Sequence, residues 1–381
     1  MGHPSHAVDF LRNGVRSAPH THDTDAMNAR AESPRDLVTG ATGMLGSHIA
    51  ERLRARGRLV RALVRPTSDT RFLETLGVEI VRGDLADPVA SARAVQRIEV
   101  VYHAAAKVGD WGTWREFQVG CLDATENLGR AAAAAGVQRF LHVSSTSAYG
   151  HPAEGGPPVD ESAPLGQNLW RPWDYYTLSK VECERILWRL AEREGLRLTI
   201  IRPSWLYGER DRTTTPRLMA RLREGRVPLI GPGDNPLSAI YAGGVADAAL
   251  LAANDATSAG EAYNVTNQGP ITQKEFMNLF AAACGATPPR RRVSYPGLFA
   301  ASFLFEAAGR LTRRRRPPLI TRYATWLMGR NLAYGTEKAQ TRLGWVPGPP
   351  YSETIERTVR WFRDEESKTS RLCRTIPKSD W

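Results

Sequence analysis

Tyr176 and Lys180, in the run Tyr176-Thr177-Leu178-Ser179-Lys180, place a phenol and an amine four residues apart. On a helix that spacing puts both on one face. A tyrosine ordinarily ionises near pH 10, too high for efficient proton transfer at neutral pH. An ammonium beside it stabilises the phenolate and makes the phenol usable as an acid and a base. Such pairs also arise by chance on solvated helices, so their place in the fold decides their meaning. Upstream, Val143-Ser144-Ser145-Thr146-Ser147-Ala148-Tyr149-Gly150 sets hydroxyls where a strand ends. A serine there can hydrogen-bond a substrate oxygen and steady its developing charge. Serine and threonine also favour turns on their own account.

A second run of chemistry-bearing residues is Thr39-Gly40-Ala41-Thr42-Gly43-Met44-Leu45-Gly46, between an apolar strand and an amphipathic helix. Glycines at Gly40, Gly43 and Gly46 permit a tight turn and close backbone approach. The following helix N-terminus offers unbonded N–H groups and a positive dipole end to a pyrophosphate. This is the expected seat of a dinucleotide. The second strand ends Leu63-Val64-Arg65-Pro66-Thr67, without the carboxylate that would hold the ribose hydroxyls of NAD. Arg65 can instead pair with a 2′-phosphate, so NADP is favoured over NAD. Gly83-Asp84-Leu85 follows the third strand, where Asp84 reads either as a partner for an adenine amino group or as a helix N-cap. His103-Ala104-Ala105-Ala106 follows the fourth, its small residues letting a dinucleotide lie against the backbone.

These motifs need a scaffold. The pattern predicts strands at Asp36–Thr39, Leu59–Val64, Val78–Arg82, Val100–His103, Phe140–Ser144 and Arg197–Ile201. Helices are predicted at Ser47–Arg56, Phe72–Gly77, Pro88–Arg97, Leu122–Ala135 and Tyr175–Arg193, several of them stopped by glycine. Strands alternating with helices mean a parallel α/β sheet covered on both faces. Right-handed crossovers make it doubly wound, a Rossmann sheet. The rhythm loosens after Pro203, which predicts a dinucleotide domain over 34–203 and a mainly substrate-binding, irregular C-terminal lobe over 204–364. Residues 1–33 are polar, hold four of the eight histidines and read as a disordered leader; 365–381 read as a polar tail.

Composition narrows the rest. At 381 residues with 42% apolar content, the chain can bury one large or two moderate cores. No uninterrupted apolar run reaches the length of a membrane-spanning helix, and no secretory signal pattern opens the chain. Four scattered cysteines, Cys121, Cys183, Cys284 and Cys373, form neither a disulfide framework nor a metal pattern, which fits a reducing cytoplasm. The net charge of +11 is mostly spread along helix faces. Two clusters, Arg290–Arg292 and Arg313–Arg316, bracket the apolar segment Leu298–Ala308 and suit an anionic membrane surface. No recognition motif with interleaved aromatics accompanies the charge, so nucleic acid is not the expected partner.

TGATGMLG, GDL, HAAA, VSSTSAYG, YYTLSK and IRPSWLYGERD stand in the order and approximate spacing of the extended short-chain dehydrogenase/reductases, which the chain resembles over about residues 36–361. VRALVRPTSDTRFL and the run Tyr102–Gly109 are most similar to the branch of 3β-hydroxysteroid dehydrogenases and dihydroflavonol reductases. The resemblance implies Ser145 as the catalytic serine, Tyr176 as the acid/base and Lys180 as the lysine that holds the nicotinamide ribose. It implies pyrophosphate contacts at Gly40, Gly43 and Gly46 with the first helical turn at Met44 and Leu45. It also implies adenine contacts at Asp84 and Leu85, backbone contacts at Ala104 and Ala105, and a nicotinamide-side loop at Pro203 and Ser204. Homodimers are common in that family. Two departures stand out: Cys121 occupies the place of a usual asparagine, and Tyr241-Ala242-Gly243-Gly244-Val245-Ala246 replaces a more polar segment. The glycines there are expected to loosen the second lobe or alter substrate contacts.

The reaction expected is hydride transfer between a nicotinamide and a secondary alcohol or ketone. Trp111, Trp114, Trp170, Trp173, Trp205 and Trp326 suggest an apolar pocket for a sterol-like, polycyclic or long-chain substrate. Ordinary core packing is the competing account of those rings. A nucleotide-sugar epimerase or dehydratase with tightly held NAD is the alternative reaction. A regulatory protein that binds NAD(P) without turnover is the alternative from another class. No metal is expected.

Overall fold

A computed structural model describes Met1 and residues 35–170, 172–267 and 269–375, from 368 on as backbone only. Apart from Met1, the expected leader over 1–33 lies outside the described residues, as does the end of the expected tail, 376–381.

β1 (Arg35–Thr39), α1 (Met44–Ala55), β2 (Leu59–Val64), α2 (Arg71–Thr75), β3 (Glu79–Arg82), α3 (Pro88–Ala94) and β4 (Val100–His103) alternate along the chain. Next come α4 (Trp114–Phe117), a π-helical turn over Gln118–Asp123, α5 (Ala124–Ala134), β5 (Arg139–Val143), α6 (Tyr175–Glu194) and β6 (Leu198–Pro203). Local chemistry sets the ends. Asp87 caps α3 by accepting from the Val89 N–H, with Pro88 at the first helical position. Gly195 ends α6 at φ 69°, in the left-handed region that residues with a Cβ avoid.

The remaining elements are β7 (Trp205–Tyr207), α7 (Thr215–Arg223), β8 (Leu229–Ile230), β9 (Ala239–Tyr241), α8 (Ala242–Asn254), β10 (Glu261–Val265), α9 (Gln273–Cys284), β11 (Arg292–Val293), α10 (Tyr295–Leu311), α11 (Arg322–Gly329), α12 (Glu337–Leu343) and α13 (Tyr351–Thr375). The central sheet has seven strands in the order β10-β6-β5-β4-β1-β2-β3. All its pairings are parallel. The connections reverse direction between β1 and β4, the place where open sheets of this kind bind ligands. Register aligns the carboxyl ends: Thr39 lies opposite Leu63 and His103, His103 opposite His142, and Val143 opposite Ile201.

Side chains alternate across the strands and feed two cores. Val38, Tyr102, Leu141 and Ile201 pack with α1 and α8 on one face. Leu37, Val101, Phe140 and Ile200 pack with α5 and α6 on the other. A third cluster joins β7, β9, α7, α9 and α13.

Four features differ from the sequence reading. β10 returns to the main sheet beside β6, so the chain beyond residue 203 also builds the dinucleotide layer. The helical course before α5 starts at Trp114 rather than Leu122, because Thr113 and Glu116 form a reciprocal capping box. The segment 365–375 continues helix α13. Gly243 and Gly244 are buried in the first turn of α8 and do not loosen it. A Cβ on Gly243 would meet the Tyr241 ring and lie 2.7 Å from Arg52 Nη2, while Gly244 O accepts from Trp345 Nε1 at 3.0 Å. Small residues here let α8 press against α1.

Candidate active site

The glycine turn lies at the carboxyl end of β1. Gly40 has φ +67°, and a Cβ there would sit 2.7 Å from Ala105 N and 2.8 Å from the Ala104 carbonyl carbon. A Cβ on Gly46 would lie 2.6 Å from the Gly40 carbonyl carbon and 2.9 Å from Ala41 Cα. The turn, the start of α1 and the small residues after β4 are therefore in backbone contact. Ala104 N–H donates to Thr39 O and Ala105 N–H to Thr39 Oγ1, both at 3.3 Å. The α1 N-terminus begins at Gly43 with no side-chain cap and no acidic residue in its first turn. Its dipole end is unneutralised, and Met44 stands there partly exposed while Leu45 turns into the core. This cradle fits a dinucleotide pyrophosphate. Further along the same edge, Ser204 is buried after β6 and its Oγ has no hydrogen-bond partner among the described residues. An unsatisfied buried hydroxyl at that position suits a bound polar group.

Arg65 is exposed just past β2. Asp84 is exposed after β3 and accepts from the Ala86 N–H at 2.9 Å, making a local turn. It does not cap α3; Asp87 does. The Leu85 carbonyl accepts from Asn127 Nδ2 at 3.0 Å, which ties this loop to α5.

Tyr176 and Lys180 lie in the first turns of α6. Lys180 is 7% exposed, and its Nζ donates to Val143 O at 3.4 Å. That carbonyl precedes Ser144 and Ser145, so the amine reaches the end of β5. Ser145 is buried, extended at φ −163°, and its Oγ accepts from the Ser147 N–H at 3.2 Å as the cap of the turn Thr146–Tyr149. α6 packs against that turn. Tyr176 is partly exposed, and its ring meets Tyr323 of α11 edge-on at 5.2 Å. Tyr323 also faces the Ser147 hydroxyl, and burial raises its phenol well above the ordinary value. Cys121 lies in the π turn, where its Sγ accepts from the Lys107 N–H at 3.3 Å. Nearby Cys183 has its thiol pushed up to about 12 by burial.

Two buried networks that the sequence reading missed hold this edge. In one, Arg202 of β6 donates to both oxygens of Glu184 on α6, at 3.0 and 2.7 Å. Ser144 Oγ donates to the same carboxylate at 2.5 Å, and Arg202 Nη1 bonds Tyr149 OH at 2.8 Å. Tyr149 OH in turn donates to Asn264 Oδ1 of β10 at 2.7 Å. Glu184 stands one helical turn beyond Lys180, so the network locks α6 to the strand end carrying Ser145. The available signal was the continued four-residue spacing Tyr176, Lys180, Glu184 beside a lone arginine in β6. In the other network, His103 bridges Thr39 Oγ1 at 2.8 Å and Thr125 Oγ1 at 3.1 Å. Burial, and then the charge of Lys180, lower the His103 imidazole to about 3.

Above Tyr176 the walls are aromatic. Trp326 of α11 and Trp170 enclose His151, with Trp170 stacked on it at 3.5 Å. His151 Nε2 pairs with Asp174 Oδ2 at 2.7 Å. Trp173 stacks on Phe303 of α10, Trp114 meets Tyr175 with the rings tilted by 50°, and Arg310 covers Trp111 at 4.4 Å. Trp205 stands apart, packed on Phe276 in the third cluster. Among the described residues no His/Cys/Asp/Glu group could hold a metal ion, and no helix is long and apolar enough to cross a membrane.

Comparison with known proteins agrees with this architecture. Residues 37–266 match the NAD dependent epimerase/dehydratase family. A 2-alkyl-3-oxoalkanoate reductase of Stenotrophomonas maltophilia (strain K279a) is 32% identical over 84% of this chain and 97% of its own length. A 3 beta-hydroxysteroid dehydrogenase/Delta 5-->4-isomerase of Mycobacterium tuberculosis (strain ATCC 25618 / H37Rv) is 33% identical over 70% of this chain and 74% of its own. The crystal structure of gox2253 superposes with a TM-score of 0.73 at 28% identity, covering 87% of this chain and 99% of that one. With this sheet, this glycine turn and these relatives, the chain belongs to the NAD dependent epimerase/dehydratase family and is an NAD(P)-dependent oxidoreductase of the extended short-chain dehydrogenase/reductase type.

Proposed function

We propose that the protein interconverts a ketone and a secondary alcohol on an apolar substrate, with Tyr176 as proton donor and acceptor, Ser145 as carbonyl anchor and Lys180 as the charge that supports both. One observation carries this reading: Tyr176 and Lys180 rise from one face of α6, and Lys180 bonds the end of β5 two residues before Ser145. A nicotinamide dinucleotide seated on the Gly40–Gly46 cradle would supply hydride exchange. Gly40, Gly43, Gly46, Met44 and Leu45 would take its diphosphate, Asp84 and Leu85 its adenine side, and Ala104, Ala105, Pro203 and Ser204 its backbone-facing edge. In the reducing direction Tyr176 gives its proton to the carbonyl oxygen while Ser145 donates a hydrogen bond that orients it. The Lys180 ammonium stabilises the charge left on the phenol oxygen. The aromatic wall of Tyr323, Trp326, Trp170 and Phe299 excludes water and supports an apolar substrate. Two relatives whose names describe oxoalkanoate and steroid chemistry support the same class.

The test is Tyr176→Phe. The variant is expected to bind dinucleotide as the wild type does and to lose turnover on long-chain and polycyclic ketones by at least about a hundredfold. Near-normal turnover would remove Tyr176 from the role. Turnover of nucleotide sugars alone would replace the ketone reading with epimerisation.

For the cofactor, the exposed Arg65 past β2 supports a preference for NADP over NAD. Arg65→Ala is expected to lower kcat/KM with NADP about tenfold while sparing NAD; equal ratios in both proteins would count against it. Free buried thiols at Cys121 and Cys183 support a cytoplasmic setting. The exposed clusters Arg290–Arg292 and Arg313–Arg316 support peripheral contact with an anionic surface. A homodimer, common among the proteins this chain resembles, is the assembly we assign.

A further inference from the structure

α10 is amphipathic the wrong way round. Its buried stripe is Ser302, Glu306 and Gly309, one face of the helix. Those polar groups are satisfied by α11: Ser302 Oγ shares a hydrogen bond with Thr325 Oγ1 at 2.8 Å, and Glu306 accepts from the Arg322 N–H at 2.7 Å and Arg322 Nε at 2.8 Å. The opposite stripe, Ala300, Leu304, Ala308 and Leu311, points to solvent, with Phe303 at its edge. Leu304 is 66% exposed and Leu311 86% exposed. A helix that hydrogen-bonds inward and shows leucine outward is built for an apolar medium on its outer side. In the chain beyond it, Leu319 is a further exposed leucine, at 69%.

Charge frames this stripe at both ends. Arg290, Arg291 and Arg292 are exposed just before the helix, and Arg313 to Arg316 just after it. The second cluster is fixed in place: Arg314 N–H donates to Gly309 O at 2.8 Å, and Arg314 O accepts from Trp111 Nε1 at 3.0 Å. A 17-residue helix is about 25 Å long, so cationic groups flank an apolar strip of that length. No described helix is able to span a bilayer, so a helix of this kind lies in the interface plane.

We infer that the outer face of α10 docks on a bilayer of anionic phospholipid, with Leu304 and Leu311 in the acyl boundary and Arg313, Arg315 and Arg316 among the phosphates. This deepens the anionic contact proposed above and does not depend on the reaction. The same hairpin carries Tyr323 and Trp326 of α11 to Tyr176 and His151, so the docked face is one helix layer from the site. An apolar substrate dissolved in the bilayer would have a short path to it.

The experiment is sedimentation of the full chain with vesicles of equal parts phosphatidylglycerol and phosphatidylcholine, beside vesicles of phosphatidylcholine alone. The chain is expected to bind the first and not the second. Each arginine near an anionic surface strengthens partitioning about fivefold, so Arg313→Ser, Arg315→Ser and Arg316→Ser together are expected to weaken it on the order of a hundredfold. Leu304→Ser with Leu311→Ser is expected to cost about tenfold per leucine, with an unchanged melting temperature. The leucine variant separates docking from the attraction of any basic protein. If it binds as the wild type does, or if the wild type ignores anionic vesicles, the inference fails. It also fails if the leucine variant merely turns a dimer into a monomer in size-exclusion chromatography. Binding is read without turnover, so a failed reaction assignment would leave these results unchanged.

Discussion

Glu184 shows how a residue outside the reaction can decide it. Its carboxylate is fully buried and accepts from Arg202 twice and from Ser144 once. Breaking one partner of a buried ion pair strands the other charge, at about 3–5 kcal/mol. Glu184→Gln keeps the shape and removes the charge. The variant is expected to lose about that much stability in urea denaturation, because Arg202 is only 4% exposed and has no replacement anion among its described partners. If positioning is the role, kcat falls more than KM rises, since the lost bonds run to Ser144, next to Ser145, and to Arg202, and Glu184 itself stands one helical turn beyond Lys180. A fall in stability with kcat unchanged would leave Glu184 a purely structural residue. The substitution also separates Ser144 from Ser145: one is committed inward to Glu184, while the other caps the next turn and faces the site edge.

At the scale of elements, the turn between β1 and α1 is where packing and ligand chemistry coincide. Gly46→Ala would drive a methyl into the Gly40 carbonyl, a backbone atom that cannot swing aside. The turn must open or α1 must withdraw, and either spoils the cradle. The expected result is dinucleotide binding weakened at least about tenfold in a fluorescence titration, with a melting temperature lowered by several degrees. A variant binding normally would show the cradle tolerates a wider turn. This turn was legible in the sequence, as were β1 to β6, since each strand is a short apolar run bounded by glycine, proline or a charged residue. The shared face of Tyr176 and Lys180 was legible because residues four apart on a helix lie one above the other. The shared edge of Arg202, Glu184 and Tyr149 was not, since its members lie on three elements and only the sheet order brings them together. The start of α4 was hidden by the π turn, which breaks the periodicity between Trp114 and α5. β7, β8, β9 and β11 are two or three residues long, too short to leave a period. α10 was legible as an apolar segment between two arginine clusters, but that its inward side is Ser302 and Glu306 was not, since their partners lie on α11.

For the whole molecule, acid should act through two separable routes. The chain carries +11 at pH 7, so every proton added below that adds to self-repulsion. Independently, buried His48, His103 and His142 are all lowered from the ordinary value of 6.5, in each case first by burial. A histidine whose folded value lies below its unfolded value binds fewer protons when folded. Stability therefore rises with pH through that window and falls as pH drops below about 6.5, by about 1.4 kcal/mol per pH unit for each such group. His142 is the cleanest probe, because neither ring nitrogen has a hydrogen-bond partner among the described residues. It lies 5.3 Å from His103 on the neighbouring strand. His142→Leu fills nearly the same space and leaves no donor unpaired. Unfolding free energies of the two proteins from urea denaturation are expected to agree within about 1 kcal/mol at pH 8 and to diverge steadily below pH 6, with the variant more stable. Salt discriminates the routes. Surface repulsion is screened over about 10 Å at 0.1 M, whereas a buried imidazole is shielded from ions. Added salt should thus lift both proteins at pH 5 by similar amounts and leave the gap between them open. A gap that salt closes would assign acid lability to net charge alone; parallel lines at every pH would mean His142 is protonated equally in the folded and unfolded chain.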